Sequence, residues 1–333
     1  MERRNIVVVG GSAGASQVLQ TVFAGLPADL PANLFVVTHF QAGGPESLKD
    51  LLAPTSALPI NVAVDGQPVE PGRITLAAAD RHLVLAAGVV RLGRGPRENL
   101  MRPAIDPLFR SAALVYGPRV IGLVLSGYLD DGAAGLAAIK ARGGTTLVQH
   151  PLDARVPAMP EAALSNAEID RVLHVDEIAA AIDELVRTPA PAFKAPPDQA
   201  LELEVRIAIG SRLGAEALKA VAEPTALTCP TCHGVLSEMK TGPLRFRCQT
   251  GHAFSPETTV AAQQEDADDA LFIALRMMEE RVTLISRMAK DSRRQGRKAI
   301  AEIYERRAEE YGRYAATLRE ATARTLMPEP SET

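Results

Sequence analysis

The stretch that decides the fold is Ile6-Val7-Val8-Val9-Gly10-Gly11-Ser12-Ala13-Gly14-Ala15. Its unbroken run of β-branched residues is typical of a strand that is buried on both faces of a parallel sheet. The glycines that follow predict a tight turn into a helix beginning just after Ser12. A serine on such a turn lies at the carboxyl edge of the sheet, where backbone N–H groups and the helix dipole favour an oxyanion. This pattern makes Ser12 a candidate nucleophile.

Two other interpretations of the turn are open. A dinucleotide-binding loop would need glycine at positions 10, 12 and 15, but Ser12 and Ala15 occupy two of these, and no acidic residue ends a second strand at the expected distance. The simpler alternative is a small-residue turn that only packs the helix against the strand.

The composition is typical of a soluble globular protein. The 333 residues are 47% hydrophobic and 23% charged, and the net charge of −4 argues against a nucleic-acid partner or an anionic membrane surface. No apolar run is long enough to span a bilayer, and no signal peptide is evident. The three cysteines lie between Cys229 and Cys248, which is too few for a disulfide framework. We expect a cytoplasmic protein without membrane insertion.

The pattern up to residue 187 predicts an α/β fold with a doubly wound, mainly parallel, Rossmann-like sheet. The predicted strands are Ile6–Val9, Leu34–Thr38, Val120–Ser126, Thr145–Gln149 and Val172–Val175. The predicted helices are Ser16–Phe23, Ser47–Leu52, Asp106–Tyr116, Asp131–Ala141 and Asp176–Arg187. Three short strands, Ile74–Ala77, Leu83–Leu85 and Val89–Leu92, predict an antiparallel excursion at one edge.

The rest of the chain predicts four further parts. Residues 188–200 form a proline- and alanine-rich linker, and residues 201–222 a connecting helix that is interrupted near Gly210. Residues 223–262 contain a metal-binding module similar to a zinc ribbon. Residues 263–327 carry apolar side chains at three- and four-residue steps, which predicts a helical hairpin or coiled coil that turns at Gly296.

The metal-binding prediction depends on the spacing of Cys229, Cys232, Cys248 and His252. Two short pairs, joined by a segment that can form a hairpin, can hold a tetrahedral zinc ion. His233 is an alternative fourth ligand, although it directly follows Cys232. Four protein ligands close the site, which favours a structural zinc over a catalytic one. The alternative is that the cysteines are free thiols.

A nucleophilic serine needs a base and a carboxylate to orient that base. His39 and His150 each follow a predicted parallel strand, so spacing alone leaves both as candidates for the base. His82 and His174 are interpreted as structural. Asp130 and Asp131 follow the strand at 120–126, and one of them can orient the base while the other caps the next helix.

At these residues the chain resembles the catalytic domain of chemotaxis protein-glutamate methylesterases, the CheB family. The resemblance covers residues 3 to 187 and rests on several ordered motifs: Val9–Gly14, Val37–His39, Glu70–Ile74, Arg102–Ser111, Leu125–Gly135 and Met159–Ala163. It implies that Ser12 is the nucleophile, His39 the base and Asp131 the orienting acid. It also implies an oxyanion donor in the loop at Tyr128, through the backbone, with Ala13 in the same cleft.

The chain departs from the family at Ala15, Phe40-Gln41 and Tyr128-Leu129, which puts the substrate preference in question more than the triad. Typical members carry a receiver domain in front, and we expect this chain to act without one. The tail resembles extensions of other receiver-less members.

The resemblance implies hydrolysis of glutamate γ-methyl esters on the cytoplasmic domain of chemoreceptors, and glutamine deamidation by the same route. No cofactor is needed for this chemistry, and zinc is expected only in the C-terminal module. The C-terminal helices are a candidate docking face for other chemosensory proteins or a dimerisation face, and the alternative is a hairpin that only covers the zinc module. The alternatives are an esterase that serves another signalling system and a catalytically silent scaffold.

Overall fold

The computed structural model describes residues 3–39, 44–193, 196–212 and 215–325, and its first part is an α/β fold. In chain order, the elements up to residue 187 are Ile6–Gly11 (β1), Ala15–Gly25 (α1), Asn33–Thr38 (β2), Gly44–Leu52 (α2), Ile60–Val62 (β3), Arg73–Leu76 (β4), His82–Ala86 (β5), Val89–Gly93 (β6), Ile105–Tyr116 (α3), Val120–Val124 (β7), Ala133–Ala141 (α4), Thr145–Gln149 (β8), Ala158–Asn166 (α5), Arg171–Leu173 (β9) and Val175–Arg187 (α6). A seven-stranded parallel sheet has the order β3-β4-β2-β1-β7-β8-β9.

The central strand β1 is buried along its whole length because helices cover both faces of the sheet. Val7 and Val9 belong to the apolar core that includes α1 and α6, whereas Ile6 and Val8 belong to the core that includes α3 and α4. Burying each such side chain stabilises the fold by about 1.5–3 kcal/mol. This confirms the predicted doubly wound α/β class, in which β1 ends at the crevice between its neighbours.

The predicted antiparallel excursion is only partly correct. The strands β5 and β6 pair antiparallel and form a separate two-stranded sheet. The strand predicted at 74–77 is instead β4, which is a parallel member of the main sheet between β2 and β3. The short strand β3 was not predicted. Both differences arise because these strands are too short for a periodic pattern to show which neighbour they pair with.

The segment after the α/β fold contains two short helices, Gln199–Ile209 (α7) and Ala215–Val221 (α8), which confirms the predicted interruption at Gly210. An antiparallel sheet of four strands follows, made of Ala222–Thr228 (β10), Val235–Met239 (β11), Phe246–Cys248 (β12) and Ala253–Phe254 (β13). It carries the cysteines in the hairpin arrangement expected of a zinc-ribbon-like module.

Two long helices complete the described chain, Pro256–Arg294 (α9) and Lys298–Thr325 (α10). They confirm the predicted helical hairpin, and the turn lies at Gly296, whose φ is 75°. The chain divides into two compact units between Thr259 and Val260. Within the second unit, Arg293 pairs with Glu305 at 2.7 Å across the two helices.

Among the residues that the structure describes, no helix combines the length and the apolar character required to cross a membrane.

Candidate active site

Ser12 lies on the turn between β1 and α1. Its backbone N–H donates to the Ser126 carbonyl at 2.9 Å, which ties this turn to the loop after β7. Gly14, the N-cap of α1, has a φ of 88°, a left-handed conformation that favours glycine. A Cβ atom at Gly14 would also lie 2.7 Å from the Ser126 hydroxyl oxygen. Glycine at this position therefore permits the tight turn that carries Ser12.

His39 is brought beside Ser12 by the pairing of β1 with β2. The register opposes Gly11 to Thr38, and Ser12 and His39 are the residues that directly follow. The His39 N–H donates to the Gly11 carbonyl at 3.3 Å. Ser12 and His39 line one cleft, together with Tyr128, whose side chain is 65% exposed. Neighbouring parallel strands thus deliver both side chains to the same edge of the sheet.

Asp131 is the carboxylate that contacts His39. Its Oδ2 atom lies 2.9 Å from His39 Nε2 and accepts the Ile105 N–H at 2.7 Å. Its Oδ1 atom accepts the Asn99 side-chain amide at 3.1 Å and the Asp106 N–H at 3.2 Å. Since Ile105 and Asp106 begin α3, the carboxylate lies at the positive end of that helix. Asp131 is only 2% exposed, so these bonds hold it in a single position.

Burial raises the pKa of both Asp131 and Asp106, but their other partners make the net pKa shifts opposite. Burial alone would raise the pKa of Asp131, but the hydrogen bond and charge of His39 and the backbone N–H groups of α3 outweigh it, and the pKa lies below its ordinary value. For Asp106, burial and then the charge of Asp131 raise the pKa to about 7. Asp131 is therefore ionised at neutral pH and can stabilise an imidazolium at His39.

Asp106 performs for α4 what Asp131 performs for α3. Its Oδ1 atom accepts the N–H groups of Gly132 at 3.2 Å and Gly135 at 2.7 Å, at the start of α4. Asp131, in the loop before α4, thus binds the N-terminal N–H groups of α3. Asp106, in the first turn of α3, binds the N-terminal N–H groups of α4. These reciprocal hydrogen bonds hold the N-termini of α3 and α4 against each other beside Asp131.

The expectation that one of the two aspartates caps α4 is wrong. The N-cap of α4 is Gly132, with no side-chain cap, and Asp106 satisfies the first turn instead. Asp130 Oδ1 accepts the Ser255 hydroxyl at 2.7 Å and the Thr258 hydroxyl at 3.3 Å. The reason is backbone direction, since Leu129 and Gly132 have positive φ values of 60° and 98° and turn the loop sharply.

The other histidines of this fold make structural contacts. His82 is buried, with Nε2 at 2.8 Å from the Pro96 carbonyl and Nδ1 accepting the Ala104 N–H. His174 forms a capping box at α6, as its structural interpretation anticipated. His150, the second candidate base, accepts the Leu152 N–H at 3.2 Å and stacks on His174 with ring centroids 4.5 Å apart. Its ring therefore serves the turn after β8.

Ala13 matches the family motifs, whereas Ala15 and Tyr128 are positions at which the chain departs from them, and of these two Tyr128 lines this cleft. Ala13 lines it, and its carbonyl accepts the Ser126 hydroxyl at 2.7 Å. Ala15 is buried at the start of α1. Phe40 and Gln41 lie outside the described residues.

A second cluster brings together Cys229, Cys232, Cys248 and His252, the four predicted metal ligands. The sulfur atoms of Cys232 and Cys248 are 3.6 Å apart, and His252 Nδ1 is 3.5 Å from the Cys248 sulfur and 3.9 Å from the Cys229 sulfur. A tetrahedral ion with Zn–S bonds of about 2.3 Å separates its sulfur ligands by about 3.8 Å. The cluster is therefore compatible with zinc. His233, the alternative ligand, is outside the cluster.

Residues 7–182, more than half of the chain, match the model of the CheB methylesterase family. The chain belongs to the CheB methylesterase family. The crystal structure of the Thermotoga maritima CheB methylesterase catalytic domain has the same fold, with a TM-score of 0.53 and 34% sequence identity. That match covers 55% of this chain and 98% of the Thermotoga chain.

Two similar curated proteins are both named protein-glutamate methylesterase/protein-glutamine glutaminase. Number 2 of Anaeromyxobacter dehalogenans is 44% identical over 185 residues, which are 56% of this chain and 54% of the relative. Number 5 of Myxococcus xanthus is 40% identical over 163 residues, which are 48% of this chain and 47% of the relative. The chain thus spans about half the length of the curated relatives it matches, and the shared half is the CheB-type α/β fold.

Sequence reasoning did not identify three residues around the carboxylate, namely Asn99, Asp106 and Ser255. Asp106 lies within the family motif Arg102–Ser111, but the sequence predicted it only as the first residue of a helix and not as a hydrogen-bond acceptor for α4. Asn99 carries a usable signal, because Asn tolerates the positive φ of 48° found there better than most residues do. Ser255 lies more than a hundred residues from Asp130 in the chain, so no local pattern connects them.

Proposed function

We propose that the chain is a serine esterase that hydrolyses glutamate γ-methyl esters on the cytoplasmic domain of methylated chemoreceptors. Ser12 is the nucleophile, His39 the general base and Asp131 the acid that orients the base. The observation that carries the proposal is the 2.9 Å contact of His39 with Asp131 in the cleft that Ser12 lines, in a chain of the CheB family. The relatives' names support the same reaction.

The proposed reaction has two steps. His39 takes the Ser12 proton on Nδ1, since Nε2 is bound to Asp131, and the serine oxygen attacks the ester carbonyl. His39 returns the proton to the methoxy oxygen, methanol leaves, and a glutamyl ester of Ser12 remains. Water, activated by His39, then attacks this ester and restores the serine hydroxyl and a free glutamate. A glutamine side chain follows the same path with ammonia as the leaving group.

The hydrogen-bond donors to the oxyanion of the reaction are assigned to backbone N–H groups around Tyr128 and Ala13. Two neighbouring N–H groups are already engaged, since Ser12 donates to the Ser126 carbonyl and Gly127 donates to the Val156 carbonyl at 3.0 Å. Those engagements favour the next N–H group of each turn, at Ala13 and Tyr128. The start of α1 adds the positive end of a helix dipole.

The Cys3His cluster is proposed to hold a structural zinc ion. The ligand distances support this, and Cys3His is a common structural set. Bound zinc contributes folding energy to the small sheet around it. The zinc ion has no part in the ester chemistry, because four protein side chains close its coordination.

The second unit is proposed to contact other chemosensory proteins. Its helices carry large apolar side chains that are exposed, including Phe272, Ile273, Leu284, Ile300 and Ile303. Such side chains on a helical hairpin favour a helix-mediated contact. Chemical crosslinking of the full chain to purified chemosensory complexes, compared with Ile273→Glu, tests this contact.

Methanol release from methylated receptor fragments tests the enzyme, with the full zinc-loaded chain as the sample. We expect release by the wild type and none by Ser12→Ala or His39→Ala. Ser165→Ala and His150→Ala are the matched controls, because the Ser165 hydroxyl donates only within its own helix and His150 stacks on His174. A fluorophosphonate probe that labels Ser12 while methanol release is absent would indicate another substrate. Absence of both would favour the silent scaffold.

A further inference from the structure

We propose that Asn99 is a positioning residue for Asp131, and that the Cys3His module holds Asn99 in place. This module, also called the C-terminal module, comprises strands β10–β13 with the four cluster residues and the start of α9. The module would then be a support for the catalytic carboxylate as well as a folding unit. This inference rests on the proposed function for its kinetic effect, but its structural test does not require any activity.

The side chain of Asn99 is bound at both ends. Its amide nitrogen donates to Asp131 Oδ1 at 3.1 Å, and its amide oxygen accepts the Ser255 N–H at 3.1 Å. The backbone is bound as well, since the Asn99 N–H donates to the Ala253 carbonyl at 2.8 Å. Asn99 is 6% exposed, so water does not compete strongly for these groups. Two of its three partners therefore belong to the C-terminal module.

Ser255 also holds the residue next to the carboxylate. Its hydroxyl donates to Asp130 Oδ1 at 2.7 Å and accepts the Thr258 N–H at 3.0 Å. One short segment of the module thus contacts Asp130 directly and Asp131 through Asn99. Displacement of this segment would release the aspartate loop from two hydrogen bonds at once.

The same segment is attached to the predicted metal ligands. Ala253 directly follows His252, whose carbonyl accepts the Cys248 N–H at 3.0 Å. Arg247 directly precedes Cys248 and donates to the Gly251 carbonyl at 2.7 Å. Arg247 also donates to Glu98, the neighbour of Asn99, at 3.1 Å. The turn closed by Cys248 and His252 is therefore flanked on both sides by residues that hold the segment at 98–99.

Buried charges make this attachment stiff. Glu98 and Arg247 are 1% and 0% exposed, and Arg110 of α3 also pairs with Glu98. Separating buried partners leaves charges without compensation, which is strongly unfavourable. A movement of the module therefore carries Glu98 and Asn99 with it. In the absence of zinc, the loosened turn is expected to leave Asp131 without its Asn99 bond.

Hydrogen exchange in the full chain tests the structural part. The reporters are the N–H groups of Ile105 and Asp106, which donate to Asp131. We expect zinc removal by a chelator to speed their exchange about 10-fold or more, while amides of β1 keep their protection. Unchanged exchange at Ile105 and Asp106 in the zinc-free chain would overturn the proposal, and so would equal loss of protection throughout β1.

Substitution at Asn99 tests the kinetic part. Asn99→Gly tolerates the positive φ at this position and removes the side-chain amide. We expect the rate at which a fluorophosphonate labels Ser12 to fall about 10- to 100-fold in this variant. In the separate assay of ester hydrolysis, we expect KM to be unchanged. Asn99→Asp has the same shape but sets a carboxylate against Asp131, and we expect it to be at least as slow. The control is Asn61→Ala, whose amide serves only the β3 edge.

Zinc removal combined with Asn99→Gly distinguishes a positioning role of Asn99 from a general loss of protein stability. If Asn99 carries the coupling, zinc removal should slow labelling of the wild type but have little further effect on Asn99→Gly. Near wild-type labelling by folded Asn99→Asp would overturn the positioning role. A wild type that shows no Ser12 labelling at all would contradict the proposed function alone, because the exchange measurement still decides the structural coupling.

Discussion

His39 Nε2 lies 2.9 Å from Asp131 Oδ2, although the two residues are 92 positions apart in the chain. His39 follows β2 and Asp131 lies in the loop after β7, and β1, which leads into Ser12, lies between those two strands. The pair therefore spans the carboxyl edge of the sheet above the candidate nucleophile. In the proposed mechanism this contact fixes the ring so that Nδ1 serves Ser12.

Asp131→Asn is expected to lower kcat for methanol release by about 10⁴-fold, because the amide stabilises neither the imidazolium nor its orientation. Ile105 and Asp106 donate to different oxygens of Asp131, so the single amide oxygen of the variant can keep one of these two hydrogen bonds and hold the side chain at the start of α3. The measurement is kcat and KM for the methylated receptor fragment, with circular dichroism as the check on folding. Asp266→Asn on α9 is the matched control, and a loss smaller than 10-fold in Asp131→Asn would contradict the orienting role.

Asp130 should make stability depend on pH between about 4 and 7. Burial first, and then the neighbouring Glu257, raise the pKa of Asp130 to about 7, against the lowering effect of Ser255. Between its unfolded pKa near 3.8 and this value, the folded chain holds a proton that the unfolded chain has lost. Stability contributed by this group is therefore present below pH 4 and is lost as the pH rises towards 7. We expect urea unfolding of Asp130→Asn to show a flatter pH dependence over that window.

The comparison for that experiment is the same exposed Asp266→Asn variant, whose pH dependence should equal that of the wild type. If Asp130→Asn retains the full wild-type slope between pH 4 and 7, another group binds the proton.

The Cys3His cluster is expected to bind one zinc ion per chain. Cys248→Ser should lose that zinc and lower the melting temperature, because a structural metal contributes folding energy. His233→Ala should keep the ion, since His233 lies outside the cluster. Elemental analysis of both purified proteins makes the measurement. Zinc retained by Cys248→Ser but absent from His233→Ala would show that the ligand set is wrong.

The buried cluster around Glu204 should be sensitive to the loss of one charge. Glu204 is 1% exposed and lies 2.9 Å from Arg247, with Arg245 and Arg110 nearby. Glu204→Ala removes the carboxylate that pairs with Arg245 and leaves Arg110 and Arg247 with less compensating charge, and we expect a loss of about 3–5 kcal/mol in the free energy of unfolding. The control is Glu216→Ala, which breaks an exposed pair with Lys219 and should change stability by less than about 1 kcal/mol.

Denaturant unfolding of the two variants gives this comparison directly. Equal effects of Glu204→Ala and Glu216→Ala would mean that the cluster is hydrated in solution.

The sequence by itself determined the features that depend on local pattern. The apolar run at β1 and the turn after it predicted a buried strand, a helix start and a serine at the carboxyl edge of the sheet, because strand burial and glycine conformation are local properties. The spacing of Cys229, Cys232, Cys248 and His252 predicted the cluster, since short loops bring each pair together. Spacing could not choose between His39 and His150; the family motifs made that choice.

Only the tertiary structure decided which groups surround the carboxylate of Asp131. Asn99, Ile105 and His39 converge on it from separate segments, and Ser255 reaches the same loop from the C-terminal module. These contacts depend on strand register, on the direction of the loop at Leu129 and on buried charges that join distant segments. Such long-range contacts leave no periodic trace in the chain, because each is made by a single side chain whose partner is chosen by packing.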